Sequence, residues 1–321
     1  MKIKKLKVKN FRCWQDSEFV FSDSGALMVF WGANGSGKSS ILEACQLALG
    51  MDVRRQPPKG QKYSIDLVAQ LSDGREVTIH KTPDGHYAVC GNAKMFGLPI
   101  RMEPIRSDCN PFAFDPWRVP ERQESVNMTL GGTRQLAKKA NNALVRLQSY
   151  AINLKGIGNV TGADEDAKAV DAFFQKLADA WRLFYPDGDY RFSIRTAASA
   201  WRGEAGRSDV SEGLNLFLED AKEKTSVPVN ELSSGEIEVL GMLGALLIES
   251  KPYDIVFIDE PELHLNPIWY GVLTRALRTI SPTTQFVIGT NAVDIWRAAY
   301  SDERIALKAH GEGVETETDV S

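Results

Sequence analysis

A chain of 321 residues, 43% hydrophobic and 25% charged, has the balance of an ordinary globular protein with length for one large or two modest domains. A net charge of −4 gives no general reason to expect nucleic acid or an acidic membrane as partner, although it leaves room for a local basic surface. The scattered cysteines Cys13, Cys45, Cys90 and Cys109 form no C-x-x-C pair, and no stretch resembles a signal peptide or membrane span. We therefore expect reduced thiols, a cytoplasmic setting and no membrane partner.

In chain order, Leu6, Val8 and Phe11 interleave with Lys5, Lys7 and Lys9, which reads as a solvated edge strand guarded by lysines. A DNA-contacting stripe is the alternative. A second strand is expected near Ser17 to Phe21, and an apolar run at Ala26 to Trp31 reads as a buried parallel strand. Gly32-Ala33-Asn34-Gly35-Ser36-Gly37-Lys38-Ser39 then fits G-x-x-x-x-G-K-[ST], with Ser40 to Leu49 at helical spacing behind it. A strand, a glycine loop and a helix N-terminus in that order make an anion site, because loop amides converge on phosphate and the helix dipole adds positive charge. Lys38 would reach the β- and γ-phosphates and the Ser39 hydroxyl would ligate Mg²⁺. Residues 32–40 are thus the candidate cradle for ATP.

From Tyr63 to Cys90 the alternation predicts antiparallel strands, with turns at Ser72-Asp73-Gly74 and Asp84-Gly85. Residues 99–126 are proline-rich and read as a long irregular loop. Leu136 to Leu154 and Val170 to Phe184 repeat at helical spacing and predict a packed helical pair, joined by a flexible connector from Gly156 to Gly162. A strand is expected at Tyr190 to Ile194, followed by a mobile segment from Ala197 to Ser208.

The apolar run Asp254 to Ile258 ends in Asp259 and Glu260. A buried strand ends in two acids where its C-terminal edge opens onto a ligand crevice. Asp259 would hold the Mg²⁺ shell, and Glu260 would orient or deprotonate an attacking water. Leu232-Ser233-Ser234-Gly235-Glu236 sits 25 residues upstream of Asp259, counted from Ser234, and opens the helix Ile237 to Ile248. Those serines at a helix start are either an ordinary N-cap or a second phosphate-seeking surface. Two such surfaces on one triphosphate suit two chains packed head to tail, each capping the nucleotide held by the other.

Lys9-Asn10-Phe11-Arg12, the phosphate loop, Leu232 to Glu236 and Asp259-Glu260-Pro261-Glu262-Leu263-His264-Leu265-Asn266-Pro267 together resemble the ABC-type ATPases of the RecF, SMC and OLD group. The style of the last run is that of stand-alone OLD-like ATPases of bacterial anti-phage systems. The resemblance covers about residues 1–50 and 229–300. It implies an α/β fold of P-loop NTPase type, a mixed sheet with an antiparallel β subdomain and an inserted helical lobe. The expected division is 1–126 for the N-terminal ATPase half, 127–228 for the lobe and 229–321 for the C-terminal half.

The resemblance further implies that Arg12 approaches the phosphates and that Ser233, Ser234, Gly235 and Glu236 act on a partner's nucleotide. Glu262 to Pro267 would line the dimer seam. Asn291 stands where such families usually place a switch histidine; it can donate a hydrogen bond but carries no charge, so hydrolysis is expected to be slow. Gln123 is the candidate for the metal-contacting glutamine. Neither a long coiled coil nor a following nuclease domain fits this length, so an effector nuclease is expected to be a separate polypeptide. The implied function is an ATP-driven switch in anti-phage defence, with a DNA repair ATPase or a slow ATP-stabilised scaffold as alternatives, and DNA as an open partner.

Overall fold

The computed structural model describes residues 1–23, 25–90, 109–114, 143–161, 164–197, 213–249, 251–263, 265–309 and 313–315. Gln123, His264, residues 115–142 and most of the expected segments 99–126 and 197–208 lie outside them. The chain divides into two compact units: 1–116 with 251–263 and 273–321, and 117–250 with 264–272.

The first unit opens with β1 (Lys2–Phe11) and β2 (Trp14–Val20), then β3 (Leu27–Trp31), α1 (Lys38–Ala48), β4 (Ser64–Gln70), β5 (Glu76–Lys81), β6 (His86–Cys90) and β7 (Pro111–Ala113). An antiparallel sheet runs β2-β1-β4-β5-β6. Ile3 and Leu6 are three apart and would face opposite sides of a regular strand. A bulge between Ile3 and Lys5 turns both inward. The lysines face solvent as expected, but β1 is not an edge: β2 covers it, and Lys5 and Lys9 pair across to Glu18 and Asp16.

The later strands β11 (Ile255–Asp259), β12 (Gln285–Thr290), β13 (Arg304–Leu307) and β14 (Val314–Glu315) build the other sheet, in the order β14-β13-β3-β12-β11-β7. β3, β7, β11, β12 and β13 are mutually parallel, and β14 pairs antiparallel. Every residue of β12 is buried, the expected pattern for a parallel strand covered on both faces. The short β7 lies inside the proline-rich stretch read as an irregular loop. Pro111 is its first residue and β7 is the last strand of its sheet, where a missing N–H costs least. The order β3-β12-β11 brings the loop after β3, Asp259 at the end of β11 and Thr290 at the end of β12 to one edge of the sheet.

The second unit holds α2 (Ala143–Thr161), α3 (Asp164–Arg182), β8 (Tyr190–Ala197), β9 (Gly213–Asp220), β10 (Thr225–Pro228) and α4 (Ser234–Leu247). Three corrections arise here. The helix α2 runs through Gly156 and Gly158, so the connector shrinks to the two residues between α2 and α3. A glycine costs a helix about 1 kcal/mol, which tertiary packing overrides. The lobe is not purely helical, since β8, β9 and β10 form an antiparallel sheet in the order β10-β9-β8. Finally α4, expected with the C-terminal half, packs on α2 and α3 instead. It is buried nearly all round, as an evenly apolar helix requires. Two further helices, α5 (Tyr270–Ile280) and α6 (Val293–Arg297), flank β12 in sequence.

Candidate nucleotide site

Gly35 and Gly37 take φ of 84° and 96°, backbone angles that side chains rarely adopt and that turn successive amides toward one point. A Cβ on Gly37 would lie 2.7 Å from Cys13 Sγ and 2.8 Å from the Trp14 ring, and Trp14 Nε1 donates to the Gly37 carbonyl at 3.3 Å. The loop is therefore seated on the β1–β2 hairpin. No side chain caps α1, and its first turn holds no acid, which leaves its N-terminal amides suited to an anion. Ser40 lies in the first turn of α1, and Ser36 is fully buried under Gly32.

Lys38 is buried, and its Nζ donates to Gly32 O (2.8 Å), Ala33 O (2.9 Å) and Asn291 Oδ1 (2.7 Å). Burial lowers its pKa, against the opposing pull of Asp259, Glu260 and Glu262. The Ser39 hydroxyl hydrogen-bonds Asp259, whose carboxyl is pushed up to about 6 by burial and secondarily by Glu260. Gly289 leaves room for this group, since a Cβ there would meet Asp259 Oδ1 at 2.8 Å. One hydroxyl and one carboxylate, already in contact, are hard oxygen donors of the kind Mg²⁺ takes beside nucleotide phosphates. The residues present fit Mg²⁺, which would rest on Ser39 and Asp259 and supply positive charge to the phosphate oxygens. No cluster of three acidic, histidine or cysteine side chains that could hold a metal by itself occurs among the described residues.

Glu260 adopts φ 48°, and its N–H donates to Gly289 O at 2.7 Å. A glutamate in the left-handed region is strained, and such strain concentrates at functional sites. Its Oε1 accepts a 3.4 Å contact from Asn291 Nδ2, so Asn291 bridges Lys38 and Glu260. Asn291 is itself held: Trp31 Nε1 donates to its carbonyl, and its N–H donates to Glu262 Oε1. Glu262 also accepts from Thr290 Oγ1 at 2.7 Å. The motif alone places Glu262 along a dimer seam and does not announce this anchoring role. The signal was its spacing, two residues past Glu260, where a turn closed by Leu263 N to Glu260 O folds it back.

Arg12 does not reach the loop through its own hydrogen bonds. Among the described residues these go to Glu43 on α1 and to the Arg55 carbonyl. In the second unit Ser233 is the N-cap of α4 and forms a capping box with Glu236; Ser233 and Ser234 are exposed, and Gly235 is buried. The ordinary-cap geometry is thus present, with both serine side chains accessible to solvent. Asn266 caps the short helical turn Pro267–Trp269, and Ile268 is exposed beside it.

An AAA domain family model matches residues 5–177, and a second, described as an AAA domain, putative AbiEii toxin, Type IV TA system, matches residues 131–290. The OLD nuclease of Thermus scotoductus is 26% identical over 294 residues, 83% of this chain and 54% of that protein. The DNA double-strand break repair Rad50 ATPase of Methanosarcina mazei is 47% identical over 49 residues, 15% of this chain and 4% of that one. The chain thus spans little more than half the length of the first relative and a small fraction of the second. The SMC head domain from Thermotoga maritima shares the fold, with a TM-score of 0.55 at 19% identity over 98% of both chains. No helix among the described residues is long and apolar enough to cross a membrane. The chain belongs to the AAA domain family and is an ABC-type ATPase of the RecF, SMC and OLD group, with the α/β P-loop fold of that group.

Proposed function

We propose that this protein is an ATP-hydrolysing switch that closes head to tail around Mg-ATP and controls a separate effector, such as a nuclease, in anti-phage defence. The observation that carries the catalytic part is the bridge from Lys38 through Asn291 to Glu260, beside the Ser39–Asp259 pair. The loop amides and Lys38 would bind the β- and γ-phosphates. Glu260 would accept the proton of the attacking water, with Asn291 holding its carboxylate. Exposed Ser233 and Ser234 would donate to the nucleotide of a second copy, which motivates the dimer. The breadth of the match to the OLD nuclease supports the defence setting over a repair ATPase that acts on DNA.

The test is Glu260→Gln, which should abolish turnover while keeping ATP-dependent dimers. A variant that turns over normally ends the catalytic assignment. A second reading rests on Asn291 alone. A neutral amide relays no proton, so the protein would turn over slowly and hold a partner as an ATP-stabilised scaffold. Asn291→His separates the two: a large gain in turnover with loss of partner binding favours the scaffold, and unchanged turnover removes it.

A further inference from the structure

The cap of α4 is not self-contained. Glu236 accepts from Ser233 N with Oε2 at 2.8 Å, and its Oε1 accepts from the Tyr185 hydroxyl at 2.7 Å. Tyr185 lies just past α3, and its ring stacks on Trp181 (centroids 4.9 Å, interplanar 20°). The same ring meets Trp269 edge-on at 5.4 Å, and Phe184 meets Trp269 at 6.0 Å. Trp269 ends the turn that Asn266 caps. All of these residues belong to the second unit. One phenol ring therefore touches the end of the Asn266–Trp269 turn and, through its hydroxyl, the carboxylate that shapes the start of α4.

We propose that Tyr185 is a positioning residue that locks the Ser233–Glu236 tip to the Asn266–Trp269 turn, so that both meet a second copy as one preformed surface. This deepens the head-to-tail reading and rests on it. The chemistry suits the role. Glu236 has two oxygens, one spent on the Ser233 amide and one on Tyr185, so its carboxylate cannot rotate without breaking a bond at either end. Burial and the neighbouring Glu236 charge push the Tyr185 phenol upward, so it stays a donor at any working pH. With the carboxylate pinned, the Ser233 backbone is fixed and its hydroxyl keeps a free O–H to donate. The aromatic contacts are offset or edge-on, the arrangements that add to area burial and resist sliding.

The experiment uses Tyr185→Phe, which keeps the ring and deletes the hydroxyl, in the full chain carrying Glu260→Gln. Dimerisation with Mg-ATP is followed by light scattering, and binding of a fluorescent ATP analogue is measured at concentrations where the protein is monomeric. The expected result is a dimer constant about tenfold weaker with unchanged monomer nucleotide affinity and a Tm lowered by only a few degrees, since the lost hydrogen bond to a charged group also contributes to the fold of the single chain. Trp269→Phe should weaken the dimer comparably, and the double variant should be no worse than the weaker single one, as coupled neighbours require. Equal dimer constants for Tyr185→Phe and its parent, or simple additivity in the double variant, overturn the locking role. If the parent itself forms no dimer with Mg-ATP, the head-to-tail reading fails and the locking role falls with it, an outcome distinct from either of those.

Discussion

Asp259 offers a prediction in which function and stability pull in opposite directions. Its carboxyl, 3.8 in the ordinary state, is raised to about 6, first by burial, then by the Glu260 and Glu43 charges, against help from Ser39 and Lys38. An acid whose folded pKa is raised binds its proton more tightly when folded. Its cost to stability is therefore fully present above the folded value and fades as pH falls toward the unfolded one. At about 1.36 kcal/mol per tenfold in proton affinity, that cost has a ceiling of about 3 kcal/mol near pH 7.5 and about half of it near pH 5. Asp259→Asn keeps the shape and removes the charge, but it also forfeits the attraction to Lys38, so the expected gain is about 1–3 kcal/mol, or roughly 1.5–4.5 °C in Tm. The assay is thermal unfolding of both proteins in chelator without nucleotide at pH 7.5 and pH 5, beside Mg²⁺-dependent ATP binding at pH 7.5. The variant should melt higher, by a margin that shrinks toward pH 5, while losing the Mg²⁺ dependence of binding. A lower or equal Tm at pH 7.5, or a margin indifferent to pH, would refute the reasoning.

Two further substitutions probe the surroundings of the site. Glu262→Gln offers one acceptor oxygen where two donors, Thr290 Oγ1 and Asn291 N, now converge. It should lower kcat about tenfold through a loosened Asn291 with little change in nucleotide affinity, which steady-state kinetics beside equilibrium binding will check. Gly289→Ala puts a Cβ 2.8 Å from Asp259 Oδ1 and 3.3 Å from Lys38 Cβ, so the carboxylate would have to leave its place. It should destabilise by about 1–3 kcal/mol and weaken Mg-ATP binding together, read by denaturant unfolding and titration calorimetry.

The sequence was most legible where a single local rule decides the outcome. The phosphate loop, the apolar run before it and the apolar run ending in Asp259 stand where their patterns put them. Failures came where distant partners decide. Pro111–Ala113 is a strand because β11 lies beside it, which three residues between prolines do not announce. The connector expected from Gly156 shrank to two residues, because α2 continues past glycines that punctuate helices elsewhere. The strand Gly213–Asp220 did show alternation at Leu214, Leu216 and Leu218, but a lobe expected to be helical hid it. At the site, the acids and the lysine were readable from type and spacing. The inward turn of Glu262 and the pairing of Arg12 with Glu43 depend on backbone angles and on neighbours that pattern alone does not encode.

The left-handed bend at Glu260 has a practical corollary. Main-chain geometry sets where this side chain leaves the backbone: the peptide hooks onto the Gly289 carbonyl, and the Asn291 amide then meets the carboxylate. Chemistry and architecture can therefore be varied independently at a single codon. An amide or methyl replacement silences the acid while the hook persists, whereas glycine would relax the bend, releasing about 1–2 kcal/mol of conformational strain. Traps for a partner are best sought among the first kind, and gains in thermal resistance among the second.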